Sequence, residues 1–157
     1  LLHIVIIMGI ENDINQSGFR NEFQKAEINL IYTFNWINEK MKCILDREGI
    51  TSQQFNILRI LRGAGKPIST LQIRQRMLDK MSDTSRIVDR LVVKGMAKKN
   101  ICEHDKRLVD VSITDKGKKL LEKLDKSSEE MDAIMSNLTE AEAKTLNKLL
   151  DKLRSGK

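Results

Sequence analysis

The sequence has few aromatic residues, a single proline and two cysteines among its 157 residues. With aromatic residues at 4% and leucine, isoleucine, lysine and glutamate abundant, the composition favours a mostly helical chain that buries one core. Cys43 and Cys102 are too few for a disulfide framework and are typical of a reducing cytoplasm. The apolar stretch Leu1–Ile7 is too short to cross a membrane and has no basic flank. We therefore expect a cytoplasmic protein without membrane contact, and Met8 suggests that residues 1–7 lie upstream of the natural start.

Signatures of catalysis and of metal binding are also missing. The chain has no glycine-rich phosphate loop and no nucleophile-elbow motif. Its two histidines, His3 and His104, are far apart and have no cluster of further metal ligands around them. We therefore expect no enzyme and no cofactor, and we assign no catalytic or metal-binding residue.

Positive charge is concentrated in one third of the chain. Residues 66–119 contain 14 lysines and arginines against 7 aspartates and glutamates, while the remainder contains 14 against 15. The net charge of +6 therefore arises entirely within 66–119. Such a concentration favours a surface that binds a polyanion such as nucleic acid, although many basic chains are only soluble proteins.

A helix with two different faces is predicted over 83–92. One face collects the apolar side chains and one threonine: Thr84, Ile87, Val88, Leu91 and Val92. The other face carries Ser82, Asp83, Arg86 and Arg90. Gly95 follows, and glycine commonly stands just past a helix end. Two short helices before it complete a helix-turn-helix, whose last helix reads DNA.

A hairpin is predicted after this helix. Ala97–Cys102 and Leu108–Thr114 are strand-like runs that flank a charged tip, Glu103-His104-Asp105-Lys106-Arg107. The second run alternates apolar and polar residues, as a strand with one buried face does. A helix with an arginine-bearing face followed by a basic hairpin predicts a winged helix-turn-helix that binds double-stranded DNA.

Further helices are predicted on both sides of this region. Apolar residues recur at helical spacing over 17–45, across more turns than one small core requires. Such a helix packs on its own domain or, as we favour, on a second subunit. Capping boxes predict three helix starts, at Thr51 with Gln54, Ser69 with Gln72 and Thr139 with Glu142. Thr114 predicts another start, for a helix from Asp115 through Met135.

This order of elements and two motifs resemble the MarR family of bacterial transcription regulators. Residues 105–117, DKRLVDVSITDKG, look like the family's wing, with an Asp-x-Arg, a strand and a Thr-x-x-Gly helix start. Arg86–Leu91, followed by Lys94–Met96, is similar to the end of its recognition helix. The resemblance spans Phe19 to Arg154. It implies a mostly helical fold with a small wing, in which 48–114 form the winged helix-turn-helix, 19–47 and 115–157 form dimerisation helices, and 1–18 form a tail.

The resemblance also implies a homodimer that represses a pseudo-palindromic operator. Repression in the family is relieved when a small, often aromatic, ligand or an oxidant acts near the junction of the dimerisation and DNA-binding regions. Tyr32, Phe34 and Trp36 are candidates for the lining of such an effector pocket, although core or dimer packing is common for residues of this kind.

Two groups of residues are expected to contact DNA. The recognition helix contributes Ser82, Asp83, Thr84, Ser85, Arg86 and Arg90. The wing tip contributes His104, Asp105, Lys106 and Arg107. Arg86 lies nearer the helix end that enters the groove and suits a base or a phosphate, whereas Arg90 suits a phosphate. Arg107 suits the minor groove, where Asp105 can orient its guanidinium.

Two aspartates of the recognition helix have structural alternatives. We expect Asp83 to cap the helix rather than to accept from a cytosine. We expect Asp89 to pair with a neighbouring lysine or arginine, since phosphates would repel it. Two functional alternatives stay open: a redox-sensing regulator that acts through Cys43 or Cys102, and a winged helix that binds only proteins.

Overall fold

The amino-terminal part of the chain is a short helix followed by a long one. The computed structural model describes residues 9–16, 18–101 and 109–156. The helices are α1 (Ile10–Asp13) and α2 (Glu22–Asp46). The pattern predicted a helix from Ser17, but α2 begins later because Asn21 acts as its cap: Asn21 Oδ1 accepts from the backbone N–H of Gln24 at 2.9 Å.

The chain forms two compact units, divided within α2 between Lys40 and Met41. In the first unit, Glu11 of α1 pairs with Lys25 of α2 at 2.5 Å. The ammonium of Lys25 also lies 5.9 Å from the centroid of the Phe19 ring. These contacts attach α1 to the start of α2, and Ile10 is buried.

The second unit contains the winged helix-turn-helix. Its elements are α3 (Ser52–Ala64), β1 (Ile68–Ser69), α4 (Thr70–Arg76), α5 (Thr84–Val93), β2 (Ala97–Ile101) and β3 (Val109–Ile113). The predicted capping boxes that start α3 and α4 are confirmed. α3 ends at Ala64 and is followed by Gly65, whose φ of +65° suits glycine.

The three strands form an antiparallel sheet in the order β1-β3-β2. The predicted hairpin is confirmed, since Ala97 pairs with Ile113 and Ile101 with Val109. The predicted strand ends Cys102 and Leu108 lie outside the described residues. β1 was not predicted, because two residues are too few to display an alternating pattern.

One hydrophobic core joins α3, α4, α5, the sheet and the next helix. Its fully buried members include Leu58, Leu61, Ile73, Val88, Leu91, Val111 and Leu121. Burying each such side chain stabilises the fold by roughly 1.5–3 kcal/mol relative to exposure. The core therefore fixes α5 through Val88 and Leu91 and leaves its opposite face in solvent.

Three helices follow the sheet: α6 (Asp115–Asp125), α7 (Ser128–Ala133) and α8 (Glu140–Arg154). Thr114 caps α6 as predicted, accepting from the backbone N–H of Gly117 at 3.2 Å. The single helix predicted through Met135 was wrong. The chain tightens after α6, where the N–H of Ser127 donates to the carbonyl of Leu124 at 2.9 Å, three residues back. The capping box at the start of α8 is confirmed.

Two bidentate ion pairs join these helices to the earlier part of the second unit. The guanidinium of Arg62 on α3 donates to both oxygens of Asp125, at 2.6 and 3.1 Å. Arg47 donates to both oxygens of Glu130 on α7, at 2.8 and 2.9 Å. The Arg62 guanidinium lowers the pKa of Asp125, because it donates to the ionised carboxylate.

No helix in the described ranges is both long and apolar enough to cross a membrane.

Candidate nucleic-acid interface

Hydrogen bonds hold α5 at both ends, at positions that the sequence predicted. At its start, Asp83 Oδ1 accepts from the backbone N–H of Arg86 at 3.1 Å, so the expected cap is confirmed. At its end, Gly95 has a φ of +69°, and its N–H donates to the carbonyl of Val92 at 2.8 Å. The exposed face of α5 therefore has a fixed position against the core.

That exposed face borders an open groove of about 290 Å³ between α5 and the start of α3. The residues that line the groove are Thr51, Gln53, Gln54, Ser82, Asp83, Arg86, Ile87 and Arg90. The Nε of Arg86 lies 3.7 Å from Asp83 Oδ2, and both side chains are more than half exposed. Among the described carboxylates, none lies within ion-pair distance of Arg90. The guanidiniums of Arg86 and Arg90 thus lie about one helical turn apart beside an open groove.

Thr84 corrects the list of expected DNA contacts. Its side chain is only 4% exposed, and it points with Val88 and Leu91 toward the core. Its Oγ1 makes no hydrogen bond with any described residue. The reason is helical periodicity: positions 84, 88 and 91 share one face. The spacing of apolar residues by three and four had indicated this face. Ser85, in contrast, is exposed.

Ser82 has a role in the turn that precedes α5. Its hydroxyl donates to Asp79, and the backbone N–H of Met81 donates to Asp79 Oδ1 at 3.0 Å. These two donors lower the pKa of Asp79, since each favours the ionised carboxylate. The backbone N–H of Leu78 donates to Asn56 Oδ1 of α3 at 3.0 Å. Sequence reasoning missed Asp79, although an aspartate two and three residues before its donors is the usual signal of such a turn.

Asp89 and Lys94 connect α5 to its neighbours. Asp89 Oδ1 pairs with Lys99 Nζ of β2 at 2.5 Å, as expected for a carboxylate on this face. Lys94 Nζ donates to the carbonyl of Gly49 at 2.5 Å and to Gln54 Oε1 at 3.2 Å. These cations are engaged within the protein, which leaves Arg86 and Arg90 as the exposed cations of α5.

The expected wing-tip contacts, His104, Asp105, Lys106 and Arg107, lie outside the described residues. The strands that lead to the tip are described. Asn100 of β2 donates to Ser112 Oγ of β3 at 3.0 Å across the hairpin. The described parts of β2 and β3 are therefore joined by side-chain as well as backbone hydrogen bonds.

The three aromatic residues of α2 that were predicted to line an effector pocket do not share one face. Tyr32 and Trp36 are one turn apart, but Phe34 is rotated by about 200° from Tyr32, since each residue turns the helix by about 100°. All three are exposed. That Tyr32, Phe34 and Trp36 line an effector pocket stays a prediction, and a pocket within one protomer would suit Tyr32 and Trp36 better than Phe34.

Comparison with known proteins gives this geometry its context. No protein-family model matches the chain. The HTH-type transcriptional repressor MdtR of Bacillus subtilis (strain 168) is 30% identical over 91 residues. That match spans 58% of this chain and 58% of MdtR.

Among solved structures, a MarR variant from E. coli complexed with operator DNA is 26% identical, with a TM-score of 0.77. The likeness covers 88% of this chain and 99% of that one. The chain is similar in sequence and fold to regulators of the MarR family. An organohalide-sensing transcriptional regulator, solved in its 2,4-dichlorophenol-bound form, has a similar fold, with 20% identity and a TM-score of 0.81. The likeness covers 99% of this chain and 89% of that one. This likeness agrees with the predicted winged helix-turn-helix fold, and the similar proteins are transcription regulators rather than enzymes.

Proposed function

We propose that the protein is a transcription regulator that binds a pseudo-palindromic operator as a homodimer, through α5 and the wing. The observation that carries this proposal is the pair of exposed guanidiniums, Arg86 and Arg90, on a helix whose other face is anchored in the core. The cluster of positive charge in residues 66–119 supports it, because phosphates dominate the affinity of DNA-binding proteins. The likeness to MdtR favours repression over activation.

Arg86 and Arg90 have different roles in this proposal. Arg86 is in the first turn of α5, the end that enters the major groove in a helix-turn-helix, and it suits the O6 and N7 atoms of a guanine. Arg90 is one turn, about 5.4 Å, further along the axis and suits a phosphate. Arg107 at the wing tip suits the adjacent minor groove.

A second copy of the chain is the proposed partner of α2 and α8. Each helix exposes large apolar side chains at a spacing of four: Leu30 and Phe34 on α2, and Leu149 and Leu153 on α8. Apolar stripes of this kind on a protomer mark protein interfaces. A twofold dimer would place two copies of α5 on half-sites about one helical turn of DNA apart.

Selection from random-sequence DNA, followed by binding titrations on the selected site, tests the proposal. We expect an inverted repeat with half-site centres about 10 base pairs apart. Arg86→Ala should relax the preference at one base pair per half-site. Arg90→Ala should weaken all sequences alike and lower the salt slope by about one unit. Arg107→Ala should weaken binding strongly while the dimer stays folded.

Arg59→Ala provides the matched control. Arg59 is an exposed arginine of α3 that does not border the groove; its guanidinium lies 5.7 Å from the centroid of the Phe55 ring. The control removes the same charge and should keep most of the affinity. Binding that is insensitive to salt, or equal losses for the control and the groove variants, would favour the protein-interaction alternative.

We also propose that a small aromatic effector weakens DNA binding, as the bound state of the organohalide-sensing relative suggests. Trp36 is the only tryptophan, so its fluorescence reports on one side of α2. With 2,4-dichlorophenol as the probe, we expect a change in Trp36 emission together with release of operator DNA. Release by an oxidant, abolished in Cys43→Ser or in a Cys102→Ser variant, would favour the redox alternative instead.

A further inference from the structure

Two large apolar side chains stand exposed in the turn between α4 and α5. Met81 is 94% exposed and Leu78 is 87% exposed. The charged residues around them in sequence are three cations and two carboxylates: Arg76, Asp79, Lys80, Asp83 and Arg86. Single exposed apolar residues are common on protein surfaces, but these two directly precede the helix proposed to enter the major groove.

The turn that carries Met81 is hydrogen-bonded on both sides. Asp79 accepts from the backbone N–H of Met81 and from the hydroxyl of Ser82, and Asn56 accepts from the N–H of Leu78. Asp83 then caps α5 two residues after Met81. The backbone position of Met81 is therefore fixed relative to α5, while its side chain makes almost no contact with the protein. A residue held in this way is presented to whatever α5 binds.

We infer that Met81 is a specificity-determining residue that packs against the C5-methyl group of a thymine at the edge of each half-site. This inference rests on the proposed function. The occupant is argued from charge: residues 76–86 carry three cations against two aspartates, and both aspartates accept hydrogen bonds within the protein. The net positive charge suits a polyanion, and an apolar side chain beside it can gain affinity from the apolar feature of the major groove, the thymine methyl. Methionine is unbranched and polarizable, which suits contact with such a small group. Leu78 extends the apolar surface on the same turn.

Replacement of thymine by deoxyuridine tests the contact, because deoxyuridine lacks only the methyl group. Each thymine of the selected operator is replaced in turn, and the affinity of the full-length wild-type protein is compared with that of Met81→Ala. At one position per half-site, the wild type should lose about fourfold in Kd, the effect that burial of one methyl group gives. Met81→Ala should bind the thymine operator more weakly and should not distinguish thymine from deoxyuridine at that position.

Val93→Ala is the matched control. Val93 is also an almost fully exposed apolar residue, but it lies at the opposite end of α5. This variant should keep the wild-type affinity and the wild-type response to deoxyuridine. Since Met81 is exposed, its replacement removes no core contact, and an unchanged unfolding curve is expected for Met81→Ala.

Three results would overturn the inference while leaving the proposed function intact. They are equal deoxyuridine responses in wild type and Met81→Ala, no response at any thymine, and a loss in Met81→Ala that is the same for every operator. Absence of sequence-selective binding by the wild type, in contrast, would overturn the proposed function and this inference together.

Discussion

Gly117 offers the sharpest test of the packing that positions the wing and α6. A Cβ added at Gly117 would lie 2.4 Å from the carbonyl oxygen of Met96 and 2.8 Å from Ile113 Cγ1. The first contact is with backbone, and that oxygen also accepts from the N–H of Thr114 at 3.1 Å. Gly117→Ala therefore cannot be accommodated by rotating a side chain.

The magnitude follows from opposing effects. Overpacking a core costs about 1–3 kcal/mol. Displacing Met96 would also weaken its hydrogen bond with Thr114, which costs about 1 kcal/mol. The helical preference of alanine over glycine offsets roughly 1 kcal/mol. We therefore expect Gly117→Ala to lower the free energy of unfolding by about 1–3 kcal/mol.

Urea unfolding at a fixed chain concentration measures this change, and Gly63→Ala is the matched control. Gly63 lies in α3, and an added Cβ there meets no atom within 4 Å. Only the helical preference then acts, so Gly63→Ala should raise the free energy of unfolding by about 0.5–1 kcal/mol. If Gly117→Ala were as stable as Gly63→Ala, the close approach of Met96 to α6 would be refuted.

Three further predictions concern α5 and the ion pair between α3 and α6. Asp83→Ala should lower the free energy of unfolding by about 1 kcal/mol, because it removes the helix cap. Asp83→Asn keeps an acceptor for the cap and should match the wild type in urea unfolding. Equal values for both variants would contradict the capping role. Thr84→Val should raise the free energy of unfolding by about 1 kcal/mol, because it removes a buried hydroxyl without a hydrogen-bond partner. Operator affinity should stay unchanged. Weaker operator binding in a titration would indicate that Thr84 contacts DNA. Arg62 lowers the pKa of Asp125 below its ordinary value of 3.8. The ion pair therefore stabilises the fold above pH 3.8, and this stabilisation is lost as the pH falls through the lower pKa of the folded state. Asp125→Asn should thus be slightly less stable than wild type at neutral pH, and the difference should shrink as the pH falls through the folded-state pKa of Asp125. A difference in urea unfolding that stays constant as the pH falls would exclude the ion pair as its cause.

Local elements whose signals lie within a few residues could be predicted from the amino-acid sequence. The capping boxes at Thr51, Ser69 and Thr139, the Asp83 cap and the glycine after α5 all appear where expected, because each depends on a side chain bonding to backbone three residues away or on one positive φ. The amphipathic pattern of α5 likewise predicted which face is buried, and Thr84 lies on that face. Thr84 had also been listed among the DNA contacts because of its hydroxyl group. For that residue the periodic pattern was the better guide than the chemistry of the side chain.

Features that depend on contacts between distant parts of the chain could not be predicted from local sequence. β1 exists because Ile68 and Ser69 pair with Val111 and Asp110 of β3, and two residues carry no local strand signal. The break between α6 and α7 interrupts an apolar pattern that continued in sequence. Gln53 and Arg90, which are 37 positions apart, line one groove because α3 and α5 bury side chains in a common core. Local bonds fix where helices start and stop, while the position of one element against another depends on packing that no short stretch contains.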